Sequence, residues 1–164
     1  MIQRIQSVYL LLAAVLHGLL YWVGLASFTG LEATYTFRLT GLSQNTKAGV
    51  VSINGLHPVW MILLNAVIIL FILYVILQFK KRMMQMRLCG LAMLMVAGLL
   101  ALITFSFDTA SGIVAEKTVA DGQAAEVMYG LGFLIPVISM VLIFLAISGI
   151  KKDEALVRSA DRIR

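Results

Sequence analysis

Four long apolar runs alternate with short polar connections along the chain. Residues 8–25, 59–79, 88–107 and 127–150 contain no Asp, Glu, Lys or Arg, and Asp108 stands just past the third run. A helix needs about 20 apolar residues to cross roughly 30 Å of hydrocarbon, and each run is close to that length or above it. Inside lipid the backbone must satisfy its own hydrogen bonds, so runs of this length are helices rather than buried strands. The pattern predicts an all-α membrane protein, a four transmembrane helix bundle forming a single domain over residues 1–164. Its outer connections are 26–58 and 108–126, and its tail is 151–164.

The connection 27–57 is the one sizeable segment outside the runs. Within it Tyr35, Phe37 and Leu39 alternate with Thr34, Thr36, Arg38 and Thr40, a period of two in aromatic and β-branched residues. Residues 41–47 are turn-rich, and 49–55 read as a returning strand. The expectation is a small extracytoplasmic β-hairpin. An isolated hairpin is marginal in water, so its Tyr35/Phe37/Leu39 face should rest on the second outer connection or on the helix ends. Ile113-Val114-Ala115 reads as a possible third strand. Pro58 suits the first turn of the second span, and Pro136, interior to the fourth, predicts a kink. Ala14/Gly18 and Ala97/Ala101 place small residues at four-residue spacing, which lets helices approach closely.

Charge orients the spans. Ten of the 13 Lys and Arg residues fall before the first run, between the second and third, or after the fourth. The opposite side keeps Arg38, Lys47 and Lys117 against Glu32, Asp108, Glu116, Asp121 and Glu126. Cytoplasmic connections carry the Lys/Arg excess, so both termini are expected in the cytoplasm. The net charge of +5 then describes a basic rim facing anionic lipid. No basic stripe with stacking aromatics stands outside the runs, which argues against nucleic acid as a partner. Arg4 and the small residues before Ser27 imitate a cleaved signal sequence, but the first run exceeds an ordinary signal core and carries Tyr21-Trp22 as an interfacial belt. A retained helix is the better reading. The lone Cys89 excludes an intramolecular disulfide and reads as a small apolar residue.

Both ends are amphipathic. Ile2, Ile5 and Val8/Tyr9 recur at helical spacing before the first span, and Leu156, Ala160 and Ile163 form a stripe after the fourth, among Arg158, Asp161 and other charges. Such segments rest in the headgroup layer, pair with each other, or meet a partner. The mixed charge around the second stripe makes it the candidate interaction surface, for a membrane-protein partner or a second copy of the chain.

Signatures of catalysis and cofactor binding are absent: no P-loop, no H-E-x-x-H, no C-x-x-C and no G-x-S-x-G. Gly130-Leu131-Gly132 reads as a glycine pair inside a membrane helix. His17, at mid-membrane depth, is the residue to weigh, because intramembrane polar groups mark function by default. A proton relay or haem ligand wants a second titratable group, whereas Asn65, Thr104, Ser106 and Ser139 supply only hydrogen bonds. A neutral His17 bonded across the helices, with Asn65 as interhelical glue, is the expected state. His57 and Asp108 both stand at the outer boundary, and one such pair does not make an active site. The expectation is a non-catalytic scaffold or accessory subunit without cofactor or metal. The alternative is a small transporter or membrane-embedded enzyme centred on His17, His57 and Asp108.

Two segments carry a resemblance. Met1-Ile2-Gln3-Arg4-Ile5-Gln6-Ser7-Val8-Tyr9-Leu10-Leu11-Leu12-Ala13 and the tail from Ile150 to Arg164 resemble the two ends of a bacterial family known as domain of unknown function 4293. That resemblance implies a small four-span inner-membrane protein and supplies no activity or catalytic residues. The outer hairpin is also similar to that of claudin-like four-helix proteins, but the paired loop cysteines of that group are missing, so this likeness is one of architecture.

Overall fold

The computed structural model describes residues 3–30, 33–46, 49–53, 58–79, 81–119 and 126–162. The chain folds into four helices and a five-stranded sheet: α1 (Gln3–Leu19), β1 (Ala26–Thr29), β2 (Thr34–Arg38), β3 (Gly41–Thr46), β4 (Gly49–Ile53), α2 (Val59–Leu77), α3 (Arg82–Val119), β5 (Glu126–Tyr129) and α4 (Leu134–Arg162). Helix α1 packs on α2 and α4, and α3 packs on the same two, so the four close into a ring.

Each helix turns one narrow stripe inward. On α1 it is Gln6, Leu10, Ala13, His17 and, one residue past the helix, Leu20. On α2 it is Met61, Asn65, Ile68, Ile72 and Val75, and on α4 Ile135, Ser139, Ile143, Ala146 and Ile150. Steps of three and four residues keep each set on a single face. The other faces stay apolar and open: Leu70, Leu94 and Phe105 are 68, 71 and 76% exposed. Within the apolar windows of α2, α3 and α4 only 28, 28 and 33% of residues are buried. An apolar surface of this extent is compatible with a membrane. These three helices are long and apolar enough to cross one, whereas α1 is apolar but shorter. At 17 residues it spans about 26 Å, and the predicted run 8–25 is cut at Leu19, after which residues 20–23 form turns. Trp22 and Trp60 lie exposed where α1 ends and α2 begins.

The predicted hairpin is replaced by a sheet in the order β4-β3-β2-β1-β5, antiparallel throughout. The alternation was read in the right phase: Tyr35, Phe37 and Leu39 are buried, Thr34 and Thr36 half-buried, Arg38 exposed. The turn was misplaced. Residues 41–46 pair with β2 as a strand, and Arg38 opposes Gly41 across Leu39-Thr40. Gly41, at φ 128°, ends this two-residue turn in a conformation that side-chain-bearing residues rarely adopt.

Helix α3 explains the second correction. It runs for 38 residues, about 57 Å, well beyond what a bilayer requires. Ile113-Val114-Ala115 is therefore helix and not a strand. The buried positions Gln85, Cys89, Ala92, Val96, Leu99 and Ile103 continue into Ala110, Val114 and Thr118, with half-buried Phe107 at the junction. Phe107 lies under the sheet, its ring centroid 5.7 Å from Phe28, 6.4 Å from Phe37, 5.4 Å from Tyr129 and 6.1 Å from Phe133.

The third correction concerns the start of the fourth helix. Residues 127–129, expected inside the span, form β5 with Glu126 on the edge of β1, and a single 3-10 turn (Leu131–Phe133) leads into α4. Gly130 N–H donates to Leu25 O (2.8 Å), and Gly132 N–H donates to Gly24 O (3.1 Å). A Cβ on Gly132 would lie 2.7 Å from Gly24 O, and one on Gly130 would strike the same oxygen, so this crossing requires glycine. Pro136 consequently occupies the first turn of α4, where its missing N–H costs nothing and no interior kink follows. Of the small-residue pairs, Ala14 is buried and Gly18 half-buried on α1, whereas Ala97 and Ala101 face partly or wholly outward; Ala13, Ala92 and Ala146 are further small residues buried inside the ring.

Two measurements check this architecture by thermal unfolding in detergent. Phe107→Ala is expected to cost roughly 3 kcal/mol, while Phe105→Ala, on the open face, costs well under 1 kcal/mol. Gly132→Ala is expected to lower stability by about 1–3 kcal/mol, whereas Gly98→Ala, whose Cβ would meet nothing within 4 Å, is neutral or mildly stabilising. Equal effects within either pair would refute the corresponding packing.

Candidate functional site

His17 and Asn65 hold inward positions on neighbouring helices, and both are fully buried. The imidazole Nδ1 lies 2.8 Å from Asn65 Oδ1, and Asn65 Nδ2 donates to the backbone carbonyl of His17 at 3.0 Å. The second bond has a local cause. Where α1 ends, Leu20 N–H bonds Leu16 O, Tyr21 N–H turns to Gly18 O, and Trp22 and Val23 both bond Leu19 O. The turn thereby leaves the His17 carbonyl without its helical donor, one of the orphaned groups of a helix C-terminus. Asn65 replaces that donor. Because its amide nitrogen is committed to the carbonyl, its oxygen must accept from the ring, which fixes the proton of neutral His17 on Nδ1.

His17 Nε2 then carries the lone pair and has no partner among the described residues, and the Ser139 hydroxyl is likewise buried without one there. A lone pair of this kind can accept a proton, a hydrogen bond or a metal. Among the described residues no group of three or more His, Cys, Asp and Glu side chains is placed to hold a metal ion. The pair as built orders α1 against α2 and specifies their register.

The remaining candidates are not brought to this point. Asp108 is exposed on α3 beyond the ring, and His57 lies outside the described residues. Thr104 bonds the carbonyls of Leu100 and Ala101 in its own helix. The tail is helical through Arg162, in keeping with its stripe, while the side chains of Leu156, Arg158, Ala160 and Asp161, and Ile163 as a whole, lie outside the described residues.

Sequence reasoning missed three further polar links. Gln6 Nε2 donates to Asp153 Oδ2 (2.6 Å), joining α1 to α4. Gln85 Nε2 donates to Val75 O (3.3 Å), joining α3 to α2. Tyr21 Oη–H donates to Ile62 O (3.1 Å) beside the His17–Asn65 pair. Gln6 and Gln85 occupy inward positions of their stripes, and a polar residue at an inward position was the available signal. Gln6 is also packed closely: a Cβ on Gly149 would lie 3.0 Å from its Cγ.

Residues 2–163 match the family described as domain of unknown function (DUF4293). The chain belongs to this family. DUF4293 covers the helices, the sheet and the tail alike, and its description names no activity. None of the curated proteins matches the chain.

Asn65→Ala is expected to lower thermal stability by roughly 1–2 kcal/mol, since it strands both Nδ1 and the His17 carbonyl. Ser139→Ala, which removes a hydroxyl without a partner, is expected to change stability by less than about 0.5 kcal/mol or to raise it. The reverse order would overturn this assignment.

Proposed function

We propose that this DUF4293 protein is a four-span integral protein of a bacterial inner membrane, both termini cytoplasmic, acting as a non-catalytic scaffold or accessory subunit. The observation that carries the reading is the division between interior and exterior. Inside, Asn65 engages both Nδ1 and the backbone carbonyl of His17, a contact between helices that suits a structural role. Outside, the edge strands β4 and β5 leave Val50, Val51, Met128 and Tyr129 exposed, and α4 continues beyond its apolar window, surfaces that suit contact with a partner. The ten-to-three distribution of basic residues supports the orientation, and α1, lengthened by the apolar turns to Leu25, serves as the fourth span. A small transporter or membrane enzyme is the second reading, favoured by one feature, the unpartnered Nε2 of His17.

Orientation is checked with single cysteines at Gln44, Met84 and Ser159 in a Cys89→Ser background. An impermeant thiol reagent on intact cells should label Gln44→Cys alone, and labelling of the other two would reverse the topology. Function is checked by complementation in cells lacking the chain. His17→Ala and Asp108→Asn, at normal protein level, should restore the wild-type phenotype, and truncation after Lys152 should not. Failure of either point variant would favour the second reading.

A further inference from the structure

Two adjoining grooves open at the basic end of the helices, where the first turn of α3 meets the extension of α4. One is lined by Lys81, Arg82, Met83, Met84 and Glu154, and the other by Met83, Met86, Lys151, Glu154 and Ala155. Met83 and Glu154 belong to both, so the grooves form one trough. Its lining has two kinds of chemistry: three cations at Lys81, Arg82 and Lys151, and an apolar floor of methionines and Ala155. Arg87 and Lys152, both exposed, add positive charge on the same end. The neighbouring carboxylate of Asp153 is engaged by Gln6 on α1, which leaves Glu154 as the one acidic group among the lining residues.

The depth of the trough is informative. The apolar stretch of α2 ends at Leu77, and the trough begins with Lys81, four residues on, at the level where hydrocarbon gives way to headgroups. Met83 and Met84 are nearly half exposed there, an unusual place for apolar side chains if water is the only neighbour. Methionine is flexible and adapts to an irregular chain, while Lys and Arg extend their stems along apolar surface and keep their charge at the phosphate level. A phosphodiester with a net negative headgroup and an acyl chain matches both parts of the lining. A zwitterionic headgroup brings a cation against three others, and a free phosphate leaves the methionines uncovered. Basic pockets between helices on the cytoplasmic side recognise anionic lipid in this way.

We propose that this trough is a binding site for an anionic phospholipid, with its phosphate held by Lys81, Arg82 and Lys151 and an acyl chain laid along Met83 and Met86. The inference rests on the membrane reading above, which is tested separately by whether alkaline carbonate leaves the chain in the membrane fraction.

The full-length chain, purified in mild detergent, is titrated with phosphatidylglycerol and with phosphatidylcholine and examined by native mass spectrometry. Phosphatidylglycerol should remain bound at collision energies that strip phosphatidylcholine. Lys81→Gln/Arg82→Gln/Lys151→Gln should reduce its retention by roughly tenfold or more, since each cation near an anionic lipid contributes about fivefold. Arg38→Gln/Lys117→Gln, at the opposite end, should leave retention unchanged. Met83→Asp keeps every cation and should also weaken the lipid, which guards against a triple variant that fails to fold. Equal retention of the two lipids, equal loss in both cation variants, or full displacement by millimolar glycerol phosphate would overturn the proposal.

Discussion

The sheet buries one apolar face, and among the described residues no second sheet covers it. Ala26, Phe28, Tyr35, Phe37 and Leu42 are buried, and the side chain beneath them is Phe107, from a helix that also belongs to the ring. Aromatic pairs contribute roughly 0.5–1.5 kcal/mol each beyond the area they bury, and Phe107 makes four such contacts. A five-stranded antiparallel sheet therefore needs no disulfide here, although its longest strand has six residues. The length of α3 is the underlying constraint. Had α3 stopped at the membrane boundary, Ala110, Val114 and Thr118 would have no helix to place them beside the strands.

The sheet in turn governs the helices. β5 must reach β1 before α4 can begin, and the two glycines that cross Gly24 allow it to do so within one short turn. The same strand carries Tyr129, and the turn after it carries Phe133, both packed on Phe107 and 6.0 Å from one another. The entry to α4 is thus held on one side by backbone bonds to Gly24 and Leu25 and on the other by rings. The exit of α1 is held by a different device, the Asn65 amide on the His17 carbonyl. Both junctions lie at the sheet end, so the outer element and the helix ends brace each other.

Much of this was legible in the residues and some of it was not, for identifiable reasons. The four apolar segments and the phase of Tyr35/Phe37/Leu39 follow from local periodicity, which needs no tertiary information. The turn was misplaced because Gly41 marks where the two-residue turn closes, whereas residues 42–46, polar as they are, can pair as a strand between two neighbours. The reach of α3 is concealed in the sequence because Asp108 ends the uncharged run. An exposed carboxylate on the outer side of a helix does not end it, and the inward steps Ile103, Phe107, Ala110, Val114 and Thr118 pass it undisturbed. The strand at 126–129 could not be distinguished from a span by apolarity alone, since Val127, Met128 and Tyr129 suit either, and only pairing with β1 decides between them. At the candidate site, the His17–Asn65 bond was legible as two polar groups at similar depth. The second half of that pair, the amide on the carbonyl, depends on where α1 ends, and the apolar run 8–25 conceals that position.

The two ends of the molecule follow from the same physical rule applied to different material. Helices that are apolar on every side leave their polar chemistry to the places where they stop. At the sheet end much of the backbone is engaged in strand pairing, and Phe107 packs with Phe28, Phe37, Tyr129 and Phe133. At the basic end α4 instead continues unbroken to Arg162, and its 29 residues extend about 43 Å, more than a hydrocarbon core requires. An unbroken helix does not fold its last turns sideways onto the surface from which it emerges. The backbone of the tail therefore continues along the axis of α4. The Gln6–Asp153 bond ties α1 to the root of this extension, so the basic end, like the sheet end, joins neighbouring helices through a polar contact.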